Sequence, residues 1–151
     1  MRFSTIVGIF TVMLMLVTGL VFAEHVIDDS KEPSYLFVIS GTSGSLDGDT
    51  LTLNGVPNVI YFSDRPARKA GHRSLSEFIE MWDKGVDSFK ADPPNATLSL
   101  LNKEGAKNVV VELMSAEQKN GSVVFKVVVL EGKVAESFEA SSLFIDSGLE
   151  F

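Results

Sequence analysis

The sequence predicts an all-β domain, mainly antiparallel, built from about seven short strands and one amphipathic helix. Two patterns predict this fold class. Short apolar runs rich in β-branched residues recur along the chain and are separated by Gly, Asn, Asp and Ser. Only one stretch, at about residues 75–84, has the apolar spacing of an amphipathic helix. Many short strands with a single helix are typical of a β-sandwich or barrel, with the helix on one end or covering an edge.

The predicted strands differ in how strongly the sequence marks them. Thr50–Leu53 and Ala96–Leu101 alternate polar and apolar residues, which is the period of a half-buried strand. Val123–Leu130 is the most apolar stretch beyond the N-terminal region, which indicates a central strand covered on both faces. Asn120-Gly121 before it predicts a type I′ hairpin turn, because both central residues of that turn need positive φ. The other predicted strands are 34–40, 59–62, 109–114 and 142–146, and the Gly/Ser/Asp-rich segment 41–49 is predicted to be a loop.

The helix prediction depends on a start signal, an apolar face and a stop signal. Ser74 and Glu77 have the spacing of a capping box, in which each side chain satisfies a backbone N–H at the helix start. Gly85 is expected to end the helix. The apolar face is formed by residues spaced i, i+3, i+4 and i+7, namely Leu75, Phe78, Ile79 and Trp82.

The N-terminus predicts export. Arg2 precedes the uncharged apolar run Ile6–Leu20, and Val21 and Ala23 supply small residues at the −3 and −1 positions of a cleavage site. This is the pattern of a secretory signal peptide, residues 1–23, cleaved after Ala23. The remaining residues, 24–151, are then one β-rich domain, secreted or periplasmic. An uncleaved membrane anchor is the alternative, because the apolar run approaches the ~18 residues of a membrane-spanning helix.

Charge and cysteine content exclude several function classes. The chain has 13 basic and 20 acidic residues, and cleavage would change its formal charge from −7 to −8, because Arg2 alone among the charged residues is removed. This charge argues against nucleic acid and anionic membranes as partners, so membrane contact is expected only through the signal peptide before cleavage. Without cysteine, the chain has neither disulfides nor thiol chemistry.

One run, YFSDRPARKAGHRS at residues 61–74, concentrates basic residues in this acidic chain. Arginine can bind a carboxylate or phosphate through two hydrogen bonds, and the start of the following helix favours an anion. We therefore predict a binding module whose 63–73 loop recognises a small anionic ligand or an envelope or extracellular protein. The alternative is structural: Asp64 caps a short turn, Pro66 fixes its φ, and Arg65 pairs with acids. The candidate ligand-binding residues are Ser63, Asp64, Arg65, Arg68, His72 and Arg73.

Enzymatic and metal-binding alternatives stay open but have little local support. Asp64 and His72 could be the acid/base pair of a hydrolase or isomerase, because an unperturbed histidine titrates near neutral pH. His25 and His72 could handle copper if cleavage occurred one residue later than predicted. Asp47-Gly48-Asp49 has too few ligands for a calcium loop and is predicted to be a turn. No nucleophile or cofactor motif is present, so we assign no catalytic residues and predict neither a cofactor nor a resident metal.

The motifs YFSDRPARKAGH, DPPNA, VLEG and SLFID carry a resemblance. Over roughly residues 48–146 the chain resembles a family of small secreted or periplasmic bacterial-type proteins of uncharacterised function. The resemblance implies one intact domain and marks residues 61–72 as a signature. It implies no activity and no catalytic residues.

Overall fold

One mainly antiparallel sheet and one short helix make up the described part of the protein. The computed structural model describes residues 33–85, 88–102 and 105–150, so the predicted signal peptide and His25 lie outside it. The predicted fold class, mainly antiparallel β with one short helix, is confirmed at this level. The sheet is not closed, and its strand order is β5-β4-β1-β10-β6-β7-β8-β3-β2-β9. The elements are β1 (Ser34–Gly41), β2 (Ser43–Asp47), β3 (Thr50–Asn54), β4 (Val59–Ser63), β5 (Ala70–Arg73), α1 (Leu75–Met81), β6 (Asn95–Asn102), β7 (Gly105–Lys119), β8 (Ser122–Glu131), β9 (Ser137–Phe138) and β10 (Ser141–Glu150).

Three strands, β2, β5 and β9, go beyond the seven that the sequence predicts. The prediction of a loop over residues 41–49 is wrong for residues 43–47, because these form β2, which pairs with β3 through a tight turn at Gly48, whose φ is +58°. Gly44 makes this strand possible. A side chain at Gly44 would overlap the ring of Phe138 in β9, so glycine lets β2 and β9 pair closely.

The capping box of α1 is confirmed. The Glu77 N–H donates to Ser74 Oγ at 3.2 Å, and the Ser74 N–H donates to Glu77 Oε2 at 2.8 Å. The bond from the Ser74 N–H, followed by the bond from the Ser74 hydroxyl, lowers the pKa of Glu77 below its usual range. The start of the helix is therefore fixed by local hydrogen bonds.

The helix ends at Met81, earlier than the predicted end at about residue 84. The Trp82 N–H donates to the Ile79 carbonyl at 3.1 Å, and the Lys84 N–H donates to the Met81 carbonyl at 3.1 Å. These bonds to the third preceding residue tighten the chain into a turn that is no longer α-helical. Gly85, with a φ of +92°, follows this turn rather than the helix itself.

One face of the helix packs against the hydrophobic core. Its Phe78 ring is 5.4 Å from Phe37 in β1, and the ring of Trp82, the residue after the helix, is 5.9 Å from Phe125 in β8. Since three strands separate β1 from β8 in the sheet, both can reach the helix only because the sheet curls around it. The largest fully buried side chains are Phe37, Phe78, Phe89, Phe125, Ile39, Leu51, Leu53, Leu98, Leu113, Leu143, Ile145 and Val59.

The β7–β8 hairpin confirms one prediction and corrects another. Asn120 and Gly121 have φ values of +50° and +78°, as a type I′ turn requires. The prediction that Val123–Leu130 is covered on both faces is wrong, because Val128 is 47% and Leu130 is 52% exposed. The partner strand β3 pairs with β8 only as far as Lys126, so the end of β8 extends beyond this neighbour.

No helix in the described ranges is long and apolar enough to cross a membrane.

Candidate functional site

Strands β4 and β5 form a hairpin over residues 59–73, here called the basic hairpin. Its register pairs Ile60 with His72 and Tyr61 with Gly71. The interpretation of residues 63–73 as a loop therefore needs correction, because residues 70–73 form the outermost strand of the sheet. Gly71 permits this pairing. A Cβ atom there would lie 2.7 Å from Tyr61 Oη, which is closer than such atoms normally approach.

Backbone hydrogen bonds fix the turn at the tip of the basic hairpin. The Ser63 N–H donates to the Lys69 carbonyl, and the Lys69 N–H donates to Ser63 Oγ, both at 2.8 Å. The Arg68 N–H donates to the Asp64 carbonyl at 3.0 Å, and the Asp64 N–H donates to the Ser34 carbonyl at 3.3 Å. The turn is thus held by Ser63 and by main-chain atoms of Asp64, without a bond from the Asp64 carboxylate among these contacts.

The basic side chains of the turn extend into solvent. Arg65, Arg68 and Lys69 are all exposed, and Arg68 has a φ of +48°. Among the described residues, none of these three cations forms an ion pair, although several lysines elsewhere pair with acids. The ion pair that the structural alternative gives to Arg65 is therefore absent among the described residues. The turn presents positive charge that the described part of the protein does not neutralise.

His72 and Arg73 lie on opposite faces of β5. His72 is exposed and pairs in register with Ile60, which is itself exposed on the outer face of the sheet. Arg73 is half-buried on the other face, and its guanidinium lies 5.4 Å from the ring centroid of Tyr61, within the range of a cation–π contact. The two residues therefore cannot face one ligand from the same side of the strand.

The enzymatic alternative requires the side chains of Asp64 and His72 to act together as an acid/base pair. Asp64 lies in the turn and His72 lies within β5, both exposed, and no hydrogen bond joins their side chains in the described part of the chain. His25, the second residue of the copper-handling alternative, lies outside the described residues.

The start of α1 is already occupied by a carboxylate of the protein itself. Glu77 accepts both the Ser74 N–H and the Ser74 hydroxyl at 2.8 Å. The helix also has only seven residues, so its dipole is small. The expected contribution of this helix start to anion binding therefore receives no support, and the arginines and Lys69 remain as the groups that can attract an anion.

An exposed apolar strip adjoins the basic turn and was not found by sequence reasoning. Ile60 and Phe62 of β4 are 48% and 37% exposed. They pair with Val38 and Leu36 of β1, and Val38 pairs in turn with the exposed Phe144 of β10. The run VIYF is apolar throughout, so its alternation gives no sign that one face is exposed.

The Asp47-Gly48-Asp49 segment is a hairpin turn, as predicted. The Lys126 ammonium donates to Asp49 Oδ1 at 2.8 Å, and this bond is the main reason that the pKa of Asp49 is lowered. Within the described ranges, no group of three or more His, Cys, Asp and Glu side chains could hold a metal ion.

Three surface cavities lie away from the basic hairpin, and residues 63–73 line none of these three. One of them, here called the α1–β7 groove, has a volume of about 430 Å³. It lies between the end of α1 and the middle of β7. Its lining residues are Ile79, Glu80, Trp82, Asp83, Lys90, Met114, Ser115, Ala116 and Glu117.

Comparison of the chain with protein-family models, with curated proteins and with solved structures finds no match. The resemblance to a family of small exported proteins thus stays a prediction from the motifs.

Proposed function

We propose that the protein is an exported binding module that recognises an anionic ligand or partner protein through the turn of the basic hairpin. The observation that carries this proposal is the exposed turn with Arg65, Arg68 and Lys69, which form no ion pair among the described residues. Cations left unneutralised in a chain of net charge −7 attract anions, and arginine adds directional hydrogen bonds.

The shape of the turn favours a partner surface over an enclosed small ligand. The cations project from a hairpin tip, where they can reach a flat or convex anionic surface. The exposed Ile60 and Phe62 lie on the neighbouring strand and can contribute apolar contact. An acidic segment of an envelope or extracellular protein with some apolar residues fits this combination.

The proposal includes cleavage after Ala23 and a location in the periplasm or outside the cell. It also includes a β-sandwich or barrel-like arrangement of the curled sheet. The arrangement is supported by Phe37 of β1 and Phe125 of β8, whose rings both pack into the core around α1 although three strands separate β1 from β8.

A binding screen with paired variants tests the proposed site. The mature protein is screened by thermal shift against inorganic phosphate, citrate, polyglutamate and acidic cell-envelope fragments, and any binder is then measured by calorimetry. We expect the Arg65→Ala/Arg68→Ala variant to bind at least about tenfold more weakly, because it loses two charge-assisted contacts. Binding should also weaken as salt is added.

The matched control is Lys119→Ala/Lys133→Ala, which removes the same charge from two exposed positions outside the basic hairpin. We expect this variant to bind within about twofold of the unchanged protein, since it alters general electrostatic attraction and the Lys119–Glu117 ion pair but no side chain of the basic hairpin. Equal losses in the two variants would assign binding to net charge. No loss in the arginine variant would remove the basic hairpin as the site.

A further inference from the structure

The α1–β7 groove is lined in part by Trp82, whose indole N–H is a buried hydrogen-bond donor. Trp82 is 4% exposed, and within the described part of the chain its Nε1–H has no hydrogen-bond partner. Buried indole N–H groups in proteins usually have an acceptor, because leaving a buried donor unpaired costs about 1–3 kcal/mol. On the core side the indole contacts the rings of Phe78, Phe89 and Phe125, which carry no oxygen or nitrogen acceptor.

The opposite wall of the groove is an irregular part of β7. The register of β7 against β8 shifts between Leu113 and Ser115, so Met114 is an extra residue in the strand. Such a bulge bends the strand and redirects neighbouring side chains, and bulges are frequent beside binding sites. Met114, Ser115 and Ala116 all line the groove, so the bulge forms one of its walls.

The charged residues at the rim of the groove are already neutralised. Asp83 pairs with Lys90 at 3.3 Å, and Glu117 pairs with Lys119 at 2.7 Å. Glu80 pairs in the same way with a lysine one helical turn later. The rim therefore does not select an ion, and the apolar side chains inside the groove favour a molecule without net charge.

We propose that the α1–β7 groove binds a small uncharged molecule that has an apolar body and one hydrogen-bond acceptor, to which Trp82 Nε1–H donates. A volume of about 430 Å³ lies within the range of small-molecule sites, roughly 300–1,000 Å³. Nε1 is covered in this structure, so the acceptor reaches it when a lining side chain moves. Met114 lines the groove, and its side chain is 43% exposed, unbranched and able to adopt other rotamers.

This site is independent of the basic hairpin, so its test does not depend on the proposed function. Trp82 is the only tryptophan of the chain, and an ¹⁵N-labelled sample therefore gives one indole N–H signal in a two-dimensional NMR spectrum. The mature protein is titrated with cyclohexanone and separately with methylenecyclohexane, which has a similar shape but no acceptor. Saturable shifts are expected for the ketone, with a Kd on the order of 1–10 mM for so small a probe. The alkene should bind about tenfold more weakly, which is the scale of one neutral hydrogen bond.

Two variants separate a site in the groove from contact elsewhere. Ala116→Leu fills the groove and should abolish the shifts, whereas Ala135→Leu, a matched control at an exposed position outside the groove, should leave them unchanged. In Trp82→Phe, the amide signals of Ser115 and Ala116 report binding, and the preference for the ketone should fall to within about twofold.

The comparison of ketone and alkene in the unchanged protein is decisive even if Trp82→Phe fails to fold. Equal affinity for the two probes would overturn the role of Nε1–H. Shifts that persist in Ala116→Leu, or the absence of saturable shifts with either probe, would overturn the site itself.

Discussion

Replacing Phe78 by alanine should remove about 4 kcal/mol of folding stability. Phe78 is 0% exposed, and its ring lies 5.4 Å from Phe37 and 6.0 Å from Phe89. Losing the transfer free energy of a buried phenylalanine side chain costs about 2 kcal/mol. The cavity left between rigid rings costs about 2 kcal/mol more. Because a domain of this size has roughly 5–15 kcal/mol of stability, the variant should still fold.

Urea unfolding followed by far-ultraviolet circular dichroism measures this loss, and Phe144→Ala is its matched control. Phe144 is 46% exposed on the outer face of the sheet, so its truncation leaves no enclosed cavity and should cost about 1 kcal/mol. The slope of the unfolding free energy against urea should be the same for both variants. Equal losses for Phe78→Ala and Phe144→Ala would refute the assignment of α1 to the core.

Two further predictions concern local structure. Gly44→Ala should destabilise the protein by about 1–3 kcal/mol in the same urea assay, because its Cβ atom would overlap the Phe138 ring and force β9 away from β2. Glu77→Ala should be less stable than the unchanged protein at pH 7, because the capping box is lost. The folded-state pKa of Glu77 is lowered, so its contribution is present above the usual carboxylate pKa and is lost as the pH falls through the lowered value. The stability gap between the two proteins should therefore close in acid, and a gap independent of pH would contradict the role of the carboxylate.

The sequence predicts correctly those helix starts and turns that are determined by residues close together in the chain. The capping box at Ser74 and Glu77 and the turn at Asn120-Gly121 both depend on residues within a few positions of each other, and the structure has both. Strand β2 depends in part on a distant residue, since a side chain at Gly44 would overlap the Phe138 ring as well as the Thr52 carbonyl oxygen of β3. No local pattern carries that information.

The candidate site shows the same division. The concentration of basic residues in the 61–74 run is visible in the sequence. Arg65, Arg68 and Lys69 of this run are exposed and form no ion pair among the described residues, as a binding surface requires. The strand β5 is not visible, because Ala70–Arg73 has a weak strand propensity and forms a strand by pairing with β4. That pairing puts His72 and Arg73 on opposite faces, which the linear sequence does not reveal. The α1–β7 groove is not visible in the sequence either. It depends on the bulge in β7 and on the burial of the Trp82 indole, and both result from contacts between residues that are distant in the sequence.

The position of β10 has a consequence for the order of folding. The first and last strands that the structure describes are neighbours, and Ser34 is paired with Glu150. Because β10 also pairs with β6, its hydrogen bonds join the β5-β4-β1 part of the described sheet to β6 and the strands beyond it. During synthesis or translocation, these hydrogen bonds cannot form until residues 141–150 become available. Contacts that span nearly the whole chain slow folding, so we expect a nascent chain to stay incompletely folded until residues 141–150 emerge.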